Sequence, residues 1–218
     1  MSENIPRVDP RQQRTRERLH AAVLALAEQR PIAEVSVVEV AAAAGVHRST
    51  FYEHATSPFD LLEQALRAEL DTLRAGLAGL VGLGEDEVGP AVDAVTRAVL
   101  EHVLRHRAIY RRGLGEGSGA AGLHPMLSRH FRESGLVLLG RTGTPVRVAG
   151  VPAARVLDAA SRLLADGTVG QIVGWLEETD PDVEEFLRVY RALLPSWWPG
   201  VREQQDGQGS STSHPQPL

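Results

Sequence analysis

Between residues 47 and 54 the chain reads His-Arg-Ser-Thr-Phe-Tyr-Glu-His. If this run is helical with Phe51 turned inward, His47, Arg48, Ser49, Thr50, Tyr52 and His54 are presented outward. Guanidinium, imidazole, hydroxyl and phenol groups on one short rod suit phosphate oxygens and base edges in the major groove of DNA. Arg14 and Arg16 add cations near the start of the chain. Ser36 opens a Ser-x-x-Glu pattern with Glu39, a capping box, and the helix end it caps favours an anion.

A second group has a different chemistry. His102 and His106 stand at i, i+4, a spacing that can hold a metal on one helix face. No acidic partner for them is fixed by the sequence, so no metal and no other cofactor is expected. His102, His106, Tyr110 and Trp175 are expected instead to edge a small-molecule pocket. No catalytic set stands out. There is no Gly-x-Ser-x-Gly, P-loop, dinucleotide fingerprint or His-Glu-x-x-His, so the chain is not expected to be an enzyme. Cys is absent, which excludes disulfides, thiol nucleophiles and thiolate metal sites.

The elements that position these residues follow from apolar spacing. Leu19, Ala22, Val23, Leu26 and Ala27 form one stripe, so a helix is predicted from Thr15 to Pro31, after a disordered arm over 1–10. Val37, Val40, Ala41 and Ala44 predict a short helix ended by Gly45, and another fits 47–54. Ser57 and Pro58 are an N-cap and a first helical residue, opening a helix to about 81 through Leu61, Leu62, Ala65, Leu66, Glu69, Leu73 and Leu77. Gly79, Gly82, Gly84 and Gly89 predict a loop. Helices follow at 90–107, 108–114, 124–140, 153–178 and 182–194, with a glycine-rich loop over 113–122, a connector over 142–152 and a disordered tail over 200–218. Gly167, Gly170 and Gly174 each cost roughly 1 kcal/mol of helix propensity relative to Ala, which suggests close backbone approach by another helix. The fold class is all-α, with about nine helices.

Residues 37–54 have the mechanics of a helix-turn-helix. Ala41 is small where two helices touch, Gly45 lies in the turn, and Val40, Val46 and Phe51 supply the locking contacts. Residues 15–62, TRERLHAAVLALAEQRPIAEVSVVEVAAAAGVHRSTFYEHATSPFDLL, resemble the DNA-binding domain of the TetR family of bacterial repressors. Ser36, Val37, Ala41, Ala44, Gly45, Val46, Thr50, Tyr52, His54, Leu61 and Leu62 fall in register with the family pattern. Residues 165–178, ADGTVGQIVGWLEE, are similar to the Gly-x-x-Gly-x-x-x-x-Trp-Leu segment of its penultimate helix. Departures are Ala55 where the family has Phe, Pro58 where it has Lys, His47 where it has Ser and Pro31 where it has Gly. Losing the Lys removes a phosphate contact and shifts weight to Arg14, Arg16 and Arg48.

The resemblance implies a repressor that binds an inverted-repeat operator as a homodimer and is released by a small-molecule effector. Residues 11–56 would bind double-stranded DNA. Residues 57–199 would bind the effector and dimerise through the helices at 153–178 and 182–194. The alternative is an all-helical interaction or scaffold protein whose helix-turn-helix no longer binds DNA, a reading motivated by Ala55 and Pro58.

The charge is compatible with the first expectation. Over 218 residues, 23 basic residues, all Arg, meet 28 acidic ones, for a net −5. Residues 1–20 hold five Arg against three acids, net +2, and six acids crowd 177–185, beside the expected dimer helices. No membrane-length apolar run and no signal peptide are recognisable, so a cytoplasmic protein is expected.

Overall fold

A computed structural model describes residues 10–77, 85–115, 122–142 and 147–199. Among the described residues there are nine α-helices, with short 3-10 stretches between some of them, and no strand. The helices are α1 (Pro10–Gln29), α2 (Val37–Ala44), α3 (Arg48–His54), α4 (Pro58–Ala75), α5 (Glu85–Arg105), α6 (Arg107–Leu114), α7 (His124–Thr142), α8 (Ala153–Glu177) and α9 (Val183–Leu193). A 3-10 turn, Ile32–Glu34, joins α1 to α2.

The starts of the helices are chemically specified. Ser36 Oγ accepts from Glu39 N while the Glu39 carboxylate accepts from Ser36 N, completing the capping box. Ser57 Oγ accepts from Asp60 N at 3.1 Å, and Pro58 fits the first turn because its missing N–H would have no helical acceptor there. Asp182, not anticipated as a cap, accepts from Glu185 N at 2.6 Å and starts α9.

Two helix starts differ from expectation. α1 begins at Pro10 rather than Thr15, because Pro is tolerated in a first helical turn. α5 begins at Glu85, so Gly89 and Pro90 lie inside it. Near a helix start, a Pro removes one backbone bond without ending the helix. The α-helix of α4 closes at Ala75, short of residue 81. Residues 1–9, 78–84 and 200–218, and most of the loop over 113–122, lie outside the described residues, as do 143–146 of the connector.

One core runs through the described helices. Leu19 and Val23 of α1, Val40 of α2, Phe51 of α3 and Leu62 and Leu66 of α4 are fully or nearly buried, and the same cluster continues into Leu100 and Val103 of α5, Tyr110 of α6, Leu127 of α7, Ile172 of α8 and Leu187 of α9. α4 carries the continuity, since Leu61 to Leu66 pack in the N-terminal part and Leu70 further along. A smaller cluster, Leu77, Leu138, Leu139 and Trp198, sits apart from it. α6 also holds the end of α1: Arg112 donates to the carbonyls of Ala27 and Glu28, two acceptors left open at a helix C-terminus. No described helix is long and apolar enough to cross a membrane.

Candidate functional site

The turn between α2 and α3 is built around Gly45. Its φ of 60° and ψ of 43° are left-handed, and its N–H reaches the carbonyls of Ala41 and Ala42. Val46 N returns to Ala41 O at 2.9 Å, so Ala41 sits beneath the turn. Val40 and Phe51 are fully buried and Val46 packs against them, the lock expected from the sequence. Ala55 is buried in the same core, so the small residue at this position faces inward rather than toward a ligand.

Locked this way, α3 presents His47, Arg48, Ser49 and Tyr52 to solvent, with Thr50 and His54 half-buried. Tyr52 is 50% exposed, and Arg48 Nη2 donates to its hydroxyl at 3.1 Å. The Arg48 guanidinium carbon also lies 5.4 Å from the Tyr52 ring centroid, a cation–π contact that holds both side chains on the outer face. His47 is the N-cap residue of α3 but makes no side-chain cap bond. Arg14 and Arg16 are exposed on α1.

Two residues that sequence reasoning did not assign support this face. Arg18 of α1 donates to Gly45 O at 2.7 Å and fastens the turn to α1. Arg30 pairs with Glu39. Glu39 is held down to about 2, first by the Ser36 backbone N–H and then by Arg30. The Ser36–Glu39 spacing was the available signal for the second pair; nothing in the sequence pointed to the first.

An apolar cavity of about 590 Å³, counting the space at its open mouth, lies among α5, α7, α8 and α9. Val92, Val95 and Val99 line one side, Leu138 and Leu164 others. Three buried polar atoms bordering it have no hydrogen-bond partner: His130 Nδ1, Ser161 Oγ and Trp198 Nε1. Burial, ahead of the Arg74 charge, pushes the His130 imidazole down to about 4. Tyr190, also on the wall, meets Thr168 Oγ1 at 3.1 Å; that hydroxyl donates to Leu164 O, which makes Tyr190 the donor.

The four expected pocket residues do not line this cavity. Trp175 is buried against Phe186, with ring centroids 5.2 Å apart, and donates to Asp182 O at 3.2 Å, so it fastens α8 to the start of α9. His102, His106 and Tyr110 gather elsewhere. The valines facing the cavity lie toward the N-terminal end of α5. The histidines lie past them, where α5 meets α1 and α4. There His102 Nε2 is 2.9 Å from Tyr110 Oη, and His106 lies between Glu28 and Glu69 at 3.2 and 3.1 Å.

Residues 19–65 match the family model described as bacterial regulatory proteins, tetR family. No curated protein matches the chain. Among solved structures, a tetR-family transcriptional regulator from Streptomyces coelicolor is 21% identical, with a TM-score of 0.56 over 83% of this chain and 78% of that one. A TetR-family repressor from Thermus thermophilus, FadR in complex with lauroyl-CoA, is 22% identical, with a TM-score of 0.55 over 83% and 95%. A TetR transcriptional regulator from Rhodococcus sp. RHA1 is 25% identical, with a TM-score of 0.53 over 84% and 97%. Residues 19–65 thus resemble the DNA-binding region of the bacterial regulatory proteins of the tetR family, and the chain shares the fold of these solved regulators: an N-terminal helix-turn-helix domain followed by a helical C-terminal domain.

Proposed function

We propose that the protein is a cytoplasmic transcriptional repressor that binds an inverted-repeat operator as a homodimer and is released by a small-molecule effector. The observation that carries this reading is the outer face of α3. Its Arg48–Tyr52 pair is exposed while Phe51, between them in sequence, is fully buried. A helix fixed from behind and polar in front can enter a major groove without rearranging. Residues 11–56 form the DNA-binding unit, with Arg14, Arg16, Ser36, His47, Arg48, Ser49, Thr50, Tyr52 and His54 as its contacts.

Residues 57–199 dimerise and sense. Leu163 of α8 is 74% exposed, and Gly167, Gly170 and Gly174 follow on the same helix with open space beside each. The close approach expected at these glycines is not made by any of the described residues, which supports a second copy as the neighbour. Leu193 and Val189 of α9 are likewise exposed. The effector reading rests on the cavity: apolar walls suit an aliphatic or aromatic body, and the unpartnered His130, Ser161 and Trp198 atoms suit a polar group on it. FadR from Thermus thermophilus, with its acyl-CoA ligand, makes such an amphipathic molecule a reasonable first probe.

The test is a fluorescence-anisotropy titration with DNA from upstream of the protein's own gene. Binding that weakens with salt and with Arg48→Ala supports the reading. Salt-independent binding, or none, sinks it and favours the scaffold alternative.

A further inference from the structure

We propose that Glu69, His102 and His106 form a binding site for one divalent transition-metal ion of the zinc or cobalt(II) type. The site is independent of the apolar cavity, and the proposal does not depend on the effector reading. The three donor atoms all lie within 4.8 Å of one another. His102 Nδ1 and His106 Nε2 each stand 3.1 Å from the same oxygen, Glu69 Oε2. Donors about 2.1 Å from a tetrahedral ion stand about 3.4 Å apart, so only small side-chain rotations are needed to admit one. Two imidazoles and one carboxylate suit such an ion and leave a position open for water or an exogenous ligand.

The orphaned nitrogen is the independent sign. His102 is 1% exposed, and its Nδ1, near Glu69 but outside hydrogen-bonding geometry, has no partner. This nitrogen is therefore turned into the cluster, with only a poorly aligned carboxylate oxygen beside it. The opposite ring nitrogens are already engaged. His102 Nε2 meets Tyr110 Oη at 2.9 Å, and His106 Nδ1 meets Glu28 Oε1 at 3.2 Å. Glu28 can accept an N–H from His106 Nδ1 and Tyr110 Oη one from His102 Nε2, the tautomers in which the inner nitrogens, now facing Glu69, would turn their lone pairs to a metal. Arg105 lies 3.9 Å from Glu69 Oε2, but its side chain is 66% exposed and can turn to solvent.

The full-length protein, dialysed against chelator, is titrated with cobalt(II) and separately with zinc(II). The expected result is one ion per chain, with the intense visible bands of a low-symmetry cobalt(II) site that zinc(II) displaces. Glu69→Gln, at a half-exposed position, should keep the fold by circular dichroism and bind at least tenfold more weakly. Glu28→Gln and Tyr110→Phe should weaken binding about tenfold while retaining the bands. His124→Ala, at an exposed histidine outside the cluster, should change nothing. A folded wild-type chain without these bands overturns the proposal, as does unchanged binding in Glu69→Gln.

Discussion

Arg18 Nη2 donates to the carbonyl of Gly45 at 2.7 Å, so a residue of the first helix fastens the turn of the helix-turn-helix. A Cβ built on Gly45 would lie 2.5 Å from that same Arg18 nitrogen, and the glycine's φ of 60° disfavours any side chain. Gly45→Ala should therefore cost about 1–2 kcal/mol from the left-handed backbone alone, with a further loss where Arg18 is displaced. Thermal denaturation monitored by circular dichroism checks this. Arg18→Ala should be milder, because Arg18 is exposed and its carbonyl partner can turn to water.

Arg48→Ala is expected to lower affinity for the cognate operator by about 1–3 kcal/mol. Tyr52→Phe keeps the ring beneath the guanidinium but loses the hydroxyl that accepts from Arg48. Its effect should be smaller than that of Arg48→Ala. Equal losses would mean that the tyrosine hydroxyl itself meets DNA. Isotherms at several salt concentrations separate the two outcomes.

Acid should destabilise the fold through His130. Its imidazole is held at about 4, against an ordinary value of 6.5, with Arg67, Arg74, Glu133 and His102 as the titratable groups around it. Between those values the unfolded chain takes up the proton and the folded chain does not. The stability associated with neutral His130 is thus intact above about pH 6.5 and falls away as the pH drops toward 4. The loss is about 3.4 kcal/mol at most. His130→Leu should flatten this limb of a urea-denaturation series, leaving the similar contribution of His102. An unaltered slope would show that His130 is not the titrating group.

Leu163→Arg tests the assembly. If the exposed face of α8 meets its counterpart in a second copy, an unpaired cation there costs several kcal/mol and yields monomers by light scattering. A dimer that persists at the same concentration would place the contact elsewhere.

Nearly all the helices are legible in the sequence because their apolar spacing is regular, and the helix-turn-helix because Ala41, Gly45, Val46 and Phe51 each have a distinct steric task. The starts of α1 and α5 are not, since Pro10 and the Gly89–Pro90 pair have breaker composition and only their place in early turns makes them compatible with helix. Of the candidate residues, those on α3 are placed by local periodicity alone. Glu69 is different: it lies 33 positions before His102, and only the packing of α4 on α5 joins them. Its one trace in the sequence is a carboxylate set within the apolar stripe of Leu62, Ala65, Leu66 and Leu73. Trp175 is misplaced by reasoning from residue type, because a buried indole needs only one acceptor and the Asp182 carbonyl supplies it.

The unbroken core through α4, and the grip of α6 on the end of α1, bear on how this protein can be re-engineered. A hybrid that keeps residues 57–218 and receives a foreign helix-turn-helix would take the Glu28 carboxylate away from His106, and would give Arg112 its carbonyl acceptors only if the new first helix ended where α1 does. The headpiece is therefore not a cassette. A graft that changes operator preference must retain the C-terminal half of α1 and replace only the outward positions of α3.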